Sequence, residues 1–309
     1  QHAFEAADSI ADFPPLLIVG PGEAGVNALF GDLARYVVQP EQLGTGHAAR
    51  MAKSLLQDQA DQVLVTYGDM PLLRASTMRR LAEEHRSKES AISLLSDDGD
   101  PDTSYGRVIR NKNDKVVEII EVSEARKRPN TAEILAVTEL NAGIYCFDGP
   151  WLWQHIEALP LRQARNGQEY YLTDMVGLAV SQGRDVVALS IPDADECLGA
   201  GTRSELVLVE KAFRRRAIQY WLDRGVTFID PDSTFIDQDV IIGKDTVIWP
   251  NTYLQGKTSI GEDCVIGPNT IIRHTQVGNG CIVEQAQVEH AILAEGIRVR
   301  PFTWINHDK

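Results

Sequence analysis

The chain has 309 residues, 43% of them hydrophobic, which suffices for two domains with their own cores and excludes a disordered protein. Its formal net charge of −14 leaves no basic footprint for DNA or RNA, though it is compatible with a single nucleotide held by local groups and a metal. The longest apolar runs, such as LLIV at 16–19, are too short to span a membrane, and the opening QHAFEAADSIADF lacks the basic n-region of a secretory signal.

In chain order, PPLLIVG (14–20) reads as a strand. It leads into Gly20, Gly22 and Gly25 in the G-x-G-x-x-G spacing of a dinucleotide site. Pro21 stiffens the turn that must wrap a pyrophosphate, and no second mononucleotide half follows, so a surface loop is expected. Next, PEQLGTGHAARMA (40–52) sets Gly44 and Gly46 around Thr45, ahead of a helix over 47–57. Glycine permits positive φ and close backbone approach, and a helix start presents unpaired N–H groups. These suit an anion or a flat polar ring; a plain Gly-rich turn is the other reading. QVLVTYGD (62–69) is a strand with Asp69 at its carboxyl end, outside which ligands sit in open α/β sheets. A carboxylate there can hold Mg²⁺ between phosphates, or cap the helix that follows. That helix is ASTMRRLAEEH (75–85), with Ser76 as its cap. AISLL, GRVIR, KVVEIIE, NAGIYCF and DVVALSI are β-rich, and EYYLTDMVGLAVSQG (169–183) reads as a helix stopped by Gly183. The alternation indicates a largely parallel sheet covered by helices. A long helix over 204–225, ending at Gly225, connects this region to the next, and its FRRRA run is a solvated face.

Beyond Gly225 the pattern changes. Ile236, Ile242, Ile248, Leu254, Ile260, Ile266 and Ile272 recur every sixth residue, and Val277 and Val283 continue one residue early. A repeat of aliphatic, Gly, polar, polar, small, variable is the signature of a parallel β-helix, with the aliphatic pointing into a prism-shaped core. Three repeats to a turn give roughly four coils over 236–309. Cys146, Cys197, Cys264 and Cys281 are widely spaced beside apolar runs and read as buried thiols of a reducing cytosol.

QPEQLGTGHA, YGDMPL, SYGRVIR, ELNAGIYCF and NGQEYYLTDMV, in that order and followed by hexapeptides, resemble the bacterial bifunctional N-acetylglucosamine-1-phosphate uridyltransferase / glucosamine-1-phosphate acetyltransferase family. The resemblance runs essentially the whole length. It implies an α/β nucleotide-diphospho-sugar transferase fold with a mixed sheet at 1–203, a connecting helix at 204–225, and a left-handed parallel β-helix at 226–309 that begins the acetyltransferase domain. It implies uridylyl transfer from UTP to N-acetylglucosamine-1-phosphate, giving UDP-N-acetylglucosamine and pyrophosphate in the cytoplasm for cell-wall precursor synthesis. Partners would be UTP, UDP-N-acetylglucosamine and the sugar phosphate, and the β-helix would form a homotrimer.

By the same resemblance Gln39, Gly44 and Thr45 hold the uracil and ribose. Tyr67, Gly68 and Asp69 line the nucleotide, and Asp69 binds Mg²⁺. Gly106, Glu121 and Asn141 match positions that hold the N-acetylglucosamine, and Thr173 faces the sugar. Three departures stand out. The family's opening loop of the type LAAGxGTRM, with a downstream Lys, has no counterpart here. The second metal ligand, an Asn in a GVN turn, is replaced by Gly201 in GAGTR. An Arg near the end is Asn306, and the later acetyltransferase His, Tyr and Lys have no counterpart. A chain shortened at both ends and without acetyl transfer is therefore expected. A non-catalytic sugar-nucleotide-binding or scaffold subunit, or a nucleotidyltransferase for another sugar phosphate, are the alternatives.

Overall fold

The computed structural model describes residues 1–22, 24–164 and 167–307. Its first compact unit, Gln1–Glu205, runs α1 (His2–Asp8), β1 (Leu16–Val19), α2 (Ala24–Phe30), β2 (Arg35–Val38), α3 (Thr45–Met51), α4 (Lys53–Leu56), β3 (Gln62–Val65), α5 (Ala75–Lys88), β4 (Ile92–Asp98) and β5 (Arg107–Arg110). It continues through β6 (Val116–Ile120), α6 (Val122–Ala125), α7 (Thr131–Leu135), β7 (Glu139–Asp148), α8 (Gly149–His155), β8 (Leu161–Ala164), β9 (Gly167–Tyr170), α9 (Asp174–Ser181) and β10 (Val186–Ser190). Helix α10 (Arg203–Leu222) crosses into the second unit, Leu206–Lys309.

A six-stranded sheet of order β10-β4-β7-β5-β6, with β3 also on β7, forms the centre of the first unit. Strand β7 is almost wholly buried because neighbours and helices cover both its faces. Tyr145 and Phe147 pack with Ile92, Leu94, Trp151 and Met175 in one core cluster. Ile144 and Cys146 pack with Met78, Leu81 and Leu95 in the other. The largely parallel sheet inferred from alternation is corrected to a mixed one. Only β10–β4 is parallel among the described pairings of this sheet, while β7 runs antiparallel to β3, β4 and β5. One cause is the short Asn111–Lys115 turn, which can close only an antiparallel β5–β6 hairpin. Strands β1 and β2 pair in parallel as a separate sheet.

Pro21 and Gly22 form an exposed turn after β1, in keeping with the expected surface loop, and Gly25 lies in α2; Glu23 lies outside the described residues. Two local expectations are also corrected. The helix expected from 169 starts only at Asp174, since Gly167–Tyr170 pairs antiparallel with Leu161–Ala164. Helix α5 starts after Arg74, without a side-chain cap, and Ser76 lies inside it.

The second unit is the expected left-handed β-helix, built from parallel sheets of five, five and four short strands. Successive coils pair Val247 with Val265, Val265 with Ile282, and Ile282 with Arg298. The register slip seen in sequence is thus a shortening of later coils, taken up at the corners. Ile242, Ile248, Leu254, Ile260, Ile266, Ile272, Val277 and Val283 are all buried, while Ile236 is partly buried. The residue two places earlier in each repeat must fit a corner. Before Ile242 it is Val240; in the other repeats it is Thr234, Thr246, Thr252, Thr258, Cys264, Thr270, Thr275 or Cys281, each essentially without exposure. Its hydroxyl or thiol donates to a carbonyl, as from Thr252 Oγ1 to Trp249 O at 2.7 Å and from Cys281 Sγ to Ala294 O at 3.0 Å. Ile218 and Trp221 of α10 pack on this core.

At one corner Asn251, Asn269 and Gln285 take left-handed φ, and Phe302 takes the same place at φ 62° while 89% exposed. A bulky side chain gains nothing from burial there and carries the left-handed cost. Phe302→Asn is expected to stabilise the β-helix by about 1 kcal/mol, read as a raised urea midpoint with unchanged slope.

Candidate functional site

The segment Gln39–Thr45 leaves β2 and enters α3. Gly44 has φ 89° and ψ −179°, and a Cβ there would lie 2.8 Å from Tyr170 O. The bare backbone is therefore required by the chain's own β9 strand, whose Tyr170 N donates to Leu43 O. Gln39 Nε2 lies 3.2 Å from Gly44 O and 3.1 Å from His47 Nδ1, which folds the amide over the turn and leaves Oε1 as an acceptor. Thr45 Oγ1 accepts from Leu172 N at 3.1 Å and keeps its own proton to donate.

Leu172 leads directly to the next contact. Thr173 Oγ1 donates to Glu121 Oε1 at 3.1 Å. A Cβ on Gly106 would sit 3.4 Å from both Glu121 oxygens, so this glycine keeps the carboxylate open. Gly106 O accepts from Asn141 N at 2.8 Å. Asn141 is buried, with Nδ2 2.6 Å from Tyr145 Oη and Oδ1 accepting from Gly143 N at 3.2 Å. Gly143 holds φ 78°, and an added Cβ would fall 2.2 Å from the Tyr67 ring. From Tyr67 the chain passes through Gly68 to Asp69, whose carbonyl accepts from Ala200 N at 2.8 Å. Asp69 Oδ2 lies 3.7 Å from where a Cβ on Gly201 would be. A continuous series of contacts therefore runs from Thr45 through Thr173, Glu121, Gly106, Asn141, Gly143 and Tyr67 to Asp69 and the Gly199–Gly201 turn. Nothing bulky crowds Gly68, where a Cβ would meet no atom within 4 Å. A cavity of about 290 Å³ lined by Glu118, Arg162, Thr173 and Asp174 meets this series at Thr173 alone.

Two residues of this series, Glu121 and Tyr67, have shifted ionisation. Burial pushes the Glu121 carboxyl up, against the lowering effect of the Thr173 hydrogen bond. Burial, then the charges of Glu121 and Asp69, push the Tyr67 phenol up to about 12. It stays protonated at neutral pH, a donor near two carboxylates. The four cysteines are free and buried, and burial pushes Cys146 and Cys197 up to about 12, which keeps them out of the chemistry.

Sequence reasoning missed the residues that support this series of contacts. Gly143 lies in the quoted ELNAGIYCF, but its role depends on a φ that no pattern shows. Arg107 is 1% exposed and donates to the carbonyls of Pro101, Thr103 and Tyr105, fixing the loop before β5. Glu205 faces Gly201, with Oε2 3.3 Å from the Cβ position. Its signal was legible, because Thr202-x-x-Glu205 is a capping box at the start of α10.

Residues 1–165 match the MobA-like NTP transferase domain, and residues 239–274 match the six-repeat bacterial transferase hexapeptide. The chain belongs to the MobA-like NTP transferase family. Its full-length likeness is to proteins described as "Bifunctional protein GlmU", the relatives that the ordered motifs pointed to. That of Exiguobacterium sibiricum is 36% identical over 98% of this chain and 66% of the relative. That of Enterococcus faecalis is 37% identical over 98% and 64%, and that of Caldanaerobacter subterraneus 39% over 97% and 64%. The chain thus spans about two thirds of the length of these curated relatives. A UDP-glucose pyrophosphorylase solved with UDP-glucose shares the fold at TM-score 0.50 and 12% identity, covering 70% of this chain and 86% of that one. GlmU-type nucleotidyltransferases generally use a divalent metal.

A carboxyl whose folded pKa lies above its unfolded one weakens the fold as pH rises through that interval. Glu121→Gln keeps the Thr173 contact and removes the buried charge. It is expected to melt above wild type at pH 8, with the gap closing below the ordinary Glu value of about 4.3. Thermal melts across pH check this; a gap of the opposite sign at pH 8 contradicts it.

Proposed function

We propose that the first unit is a uridylyltransferase site that joins UTP to N-acetylglucosamine-1-phosphate, releasing pyrophosphate and UDP-N-acetylglucosamine. The observation that supports this reading is the continuous series of contacts from Thr45 to Asp69, along which one elongated ligand would lie. Gln39 Oε1 accepts from the uracil N3–H, and Gly44 and Thr45 contact the base and ribose at close range. Tyr67, Gly68 and Asp69 line the phosphates. Glu121 and Thr173 take the sugar hydroxyls, with Gly106 and Asn141 shaping their floor. The sugar phosphate oxygen attacks the α-phosphorus and the α–β bridging bond breaks, so no protein nucleophile is needed. Positioning and charge neutralisation supply the rate.

The donor set at Asp69 fits Mg²⁺, which takes hard oxygen ligands from one or two carboxylates and completes its shell with phosphates and water. When bound there, the ion neutralises developing charge on the phosphates. Gly201 carries no side-chain oxygen for it. We read the second unit as the assembly module of a homotrimer; its exposed Ile241, Ile292 and Trp304 support a face between copies. A cytoplasmic location agrees with four free cysteines. No described helix is long and apolar enough to cross a membrane. Acetyl transfer is not assigned to these 309 residues.

The loss of a side chain at Gly201 favours a second reading, a sugar-nucleotide-binding subunit without turnover. Calorimetric titration of UDP-N-acetylglucosamine, with and without Mg²⁺, tests the binding claim common to both. Saturable binding that tightens with Mg²⁺ and weakens about tenfold or more in Gln39→Ala is expected, the loss matching one buried hydrogen bond of about 1–3 kcal/mol. No binding heat under either condition would reject both readings. Pyrophosphate release from UTP with a panel of sugar phosphates then separates them. Turnover with N-acetylglucosamine-1-phosphate supports the transferase, another preferred sugar changes the substrate, and none leaves the binding subunit.

A further inference from the structure

The turn that lacks a side chain at position 201 is flanked by an acid that Gly201 itself makes room for. Asp69 Oδ2 lies 3.7 Å and Glu205 Oε2 3.3 Å from the one point a Cβ of residue 201 would occupy. The two oxygens are thus no farther apart than those distances together, and they approach the same spot from different elements. We propose that Glu205 replaces the absent side chain at position 201 as the second protein ligand of the divalent cation that Asp69 holds. This rests on the reading of Asp69 given above.

The orientation of Glu205 is built, not incidental. Oε2 accepts from Thr202 N at 2.8 Å and from Thr202 Oγ1 at 2.9 Å, while Glu205 N donates back to Thr202 Oγ1 at 3.2 Å. This capping box fixes the carboxylate at the start of α10. Only Oε2 takes part in it; Oε1 has no hydrogen-bond partner among the described residues. The chain folds Asp69 against the same turn through Ala200 N and Asp69 O. Tyr105 lies in the shared field: burial raises its phenol first, and the charges of Cys197, Glu205, Asp69 and Asp97 add to that. Two carboxylates held near one point repel each other unless a cation lies between them. A two-carboxylate site completed by phosphates and water is the form Mg²⁺ favours. Had position 201 carried a longer side chain, it would have met Glu205 Oε2, so the glycine and the acid act as one exchange.

The test is Mn²⁺ binding to the whole chain without nucleotide, followed by the loss of the free-ion electron paramagnetic resonance signal. Glu205→Gln preserves the cap, since Gln serves at that helix position as Glu does, and a matching melting temperature confirms it. Expected are loss of Mn²⁺ binding in Asp69→Asn, weakening by about tenfold or more in Glu205→Gln, and recovery towards wild type in the double variant Gly201→Asn with Glu205→Gln. Wild-type affinity in Glu205→Gln alongside lost binding in Asp69→Asn overturns the role of Glu205 and leaves that of Asp69 standing. Wild-type affinity in Asp69→Asn overturns the cation reading itself. A weakened Glu205→Gln that Gly201→Asn does not restore overturns the exchange between the two positions.

Discussion

Two consecutive residues hold the site together. The Leu172 N–H is taken by the Thr45 hydroxyl, and the Thr173 hydroxyl is given to Glu121. Through this clasp the turn after β2 and the carboxylate after β6 share one short segment ahead of α9. Each bond contributes only about 0.5–1.5 kcal/mol to the fold. Their weight lies in direction, because they set how far the Gly44 turn stands from the Glu121 carboxylate. The remaining contacts follow from that spacing. Gly106 keeps the carboxylate uncovered, Asn141 locks the Gly143 turn, and Gly143 gives the Tyr67 ring its bed. Tyr67 then delivers Asp69 to the far end.

A nucleotide, the ligand proposed for this series of contacts, would meet acids there. The chain carries net −14, the series includes Glu121 and Asp69, and Glu205 stands beside its Gly201 end. An anionic ligand cannot enter such a place on attraction alone. Either a cation enters with it, or polar groups must outweigh repulsion. Burial pushes the Glu121 carboxyl up, and the protonated Tyr67 phenol is a neutral donor near Glu121 and Asp69. On the proposed reading, a cation entering with the ligand would offset the acids the fold has assembled.

Much of this was legible beforehand, and the limits have physical causes. The hexapeptide period named the β-helix because one inward aliphatic per strand is a constraint written into every repeat. Even the later slip was visible and proved to be shorter coils. The strand–helix alternation gave helices on a sheet but misjudged strand direction, since periodicity reports burial and carries no pairing sense. The start of α9 was placed too early because Tyr170 fits a helix or a hairpin equally well until Leu161 pairs with it. Site residues such as Glu121 and Asn141 came only from the family resemblance, for nothing local distinguishes a strand-end acid from a solvated one. The role of Gly143 depends on what stands across the turn, and while the Thr202-x-x-Glu205 capping box is legible, the approach of its acid to Gly201 is not.

The central claim is that the Gln39–Thr45 turn and the Asp69 strand tip serve one ligand. Hydrogen–deuterium exchange of the whole chain, with and without UDP-N-acetylglucosamine, tests it most directly. The account predicts that slowed exchange appears together in peptides covering 39–51, 66–70 and 118–123, with the same dependence on ligand concentration. Protection confined to one of those segments, or saturating at different concentrations in the first two, would mean that they belong to separate sites and would contradict it.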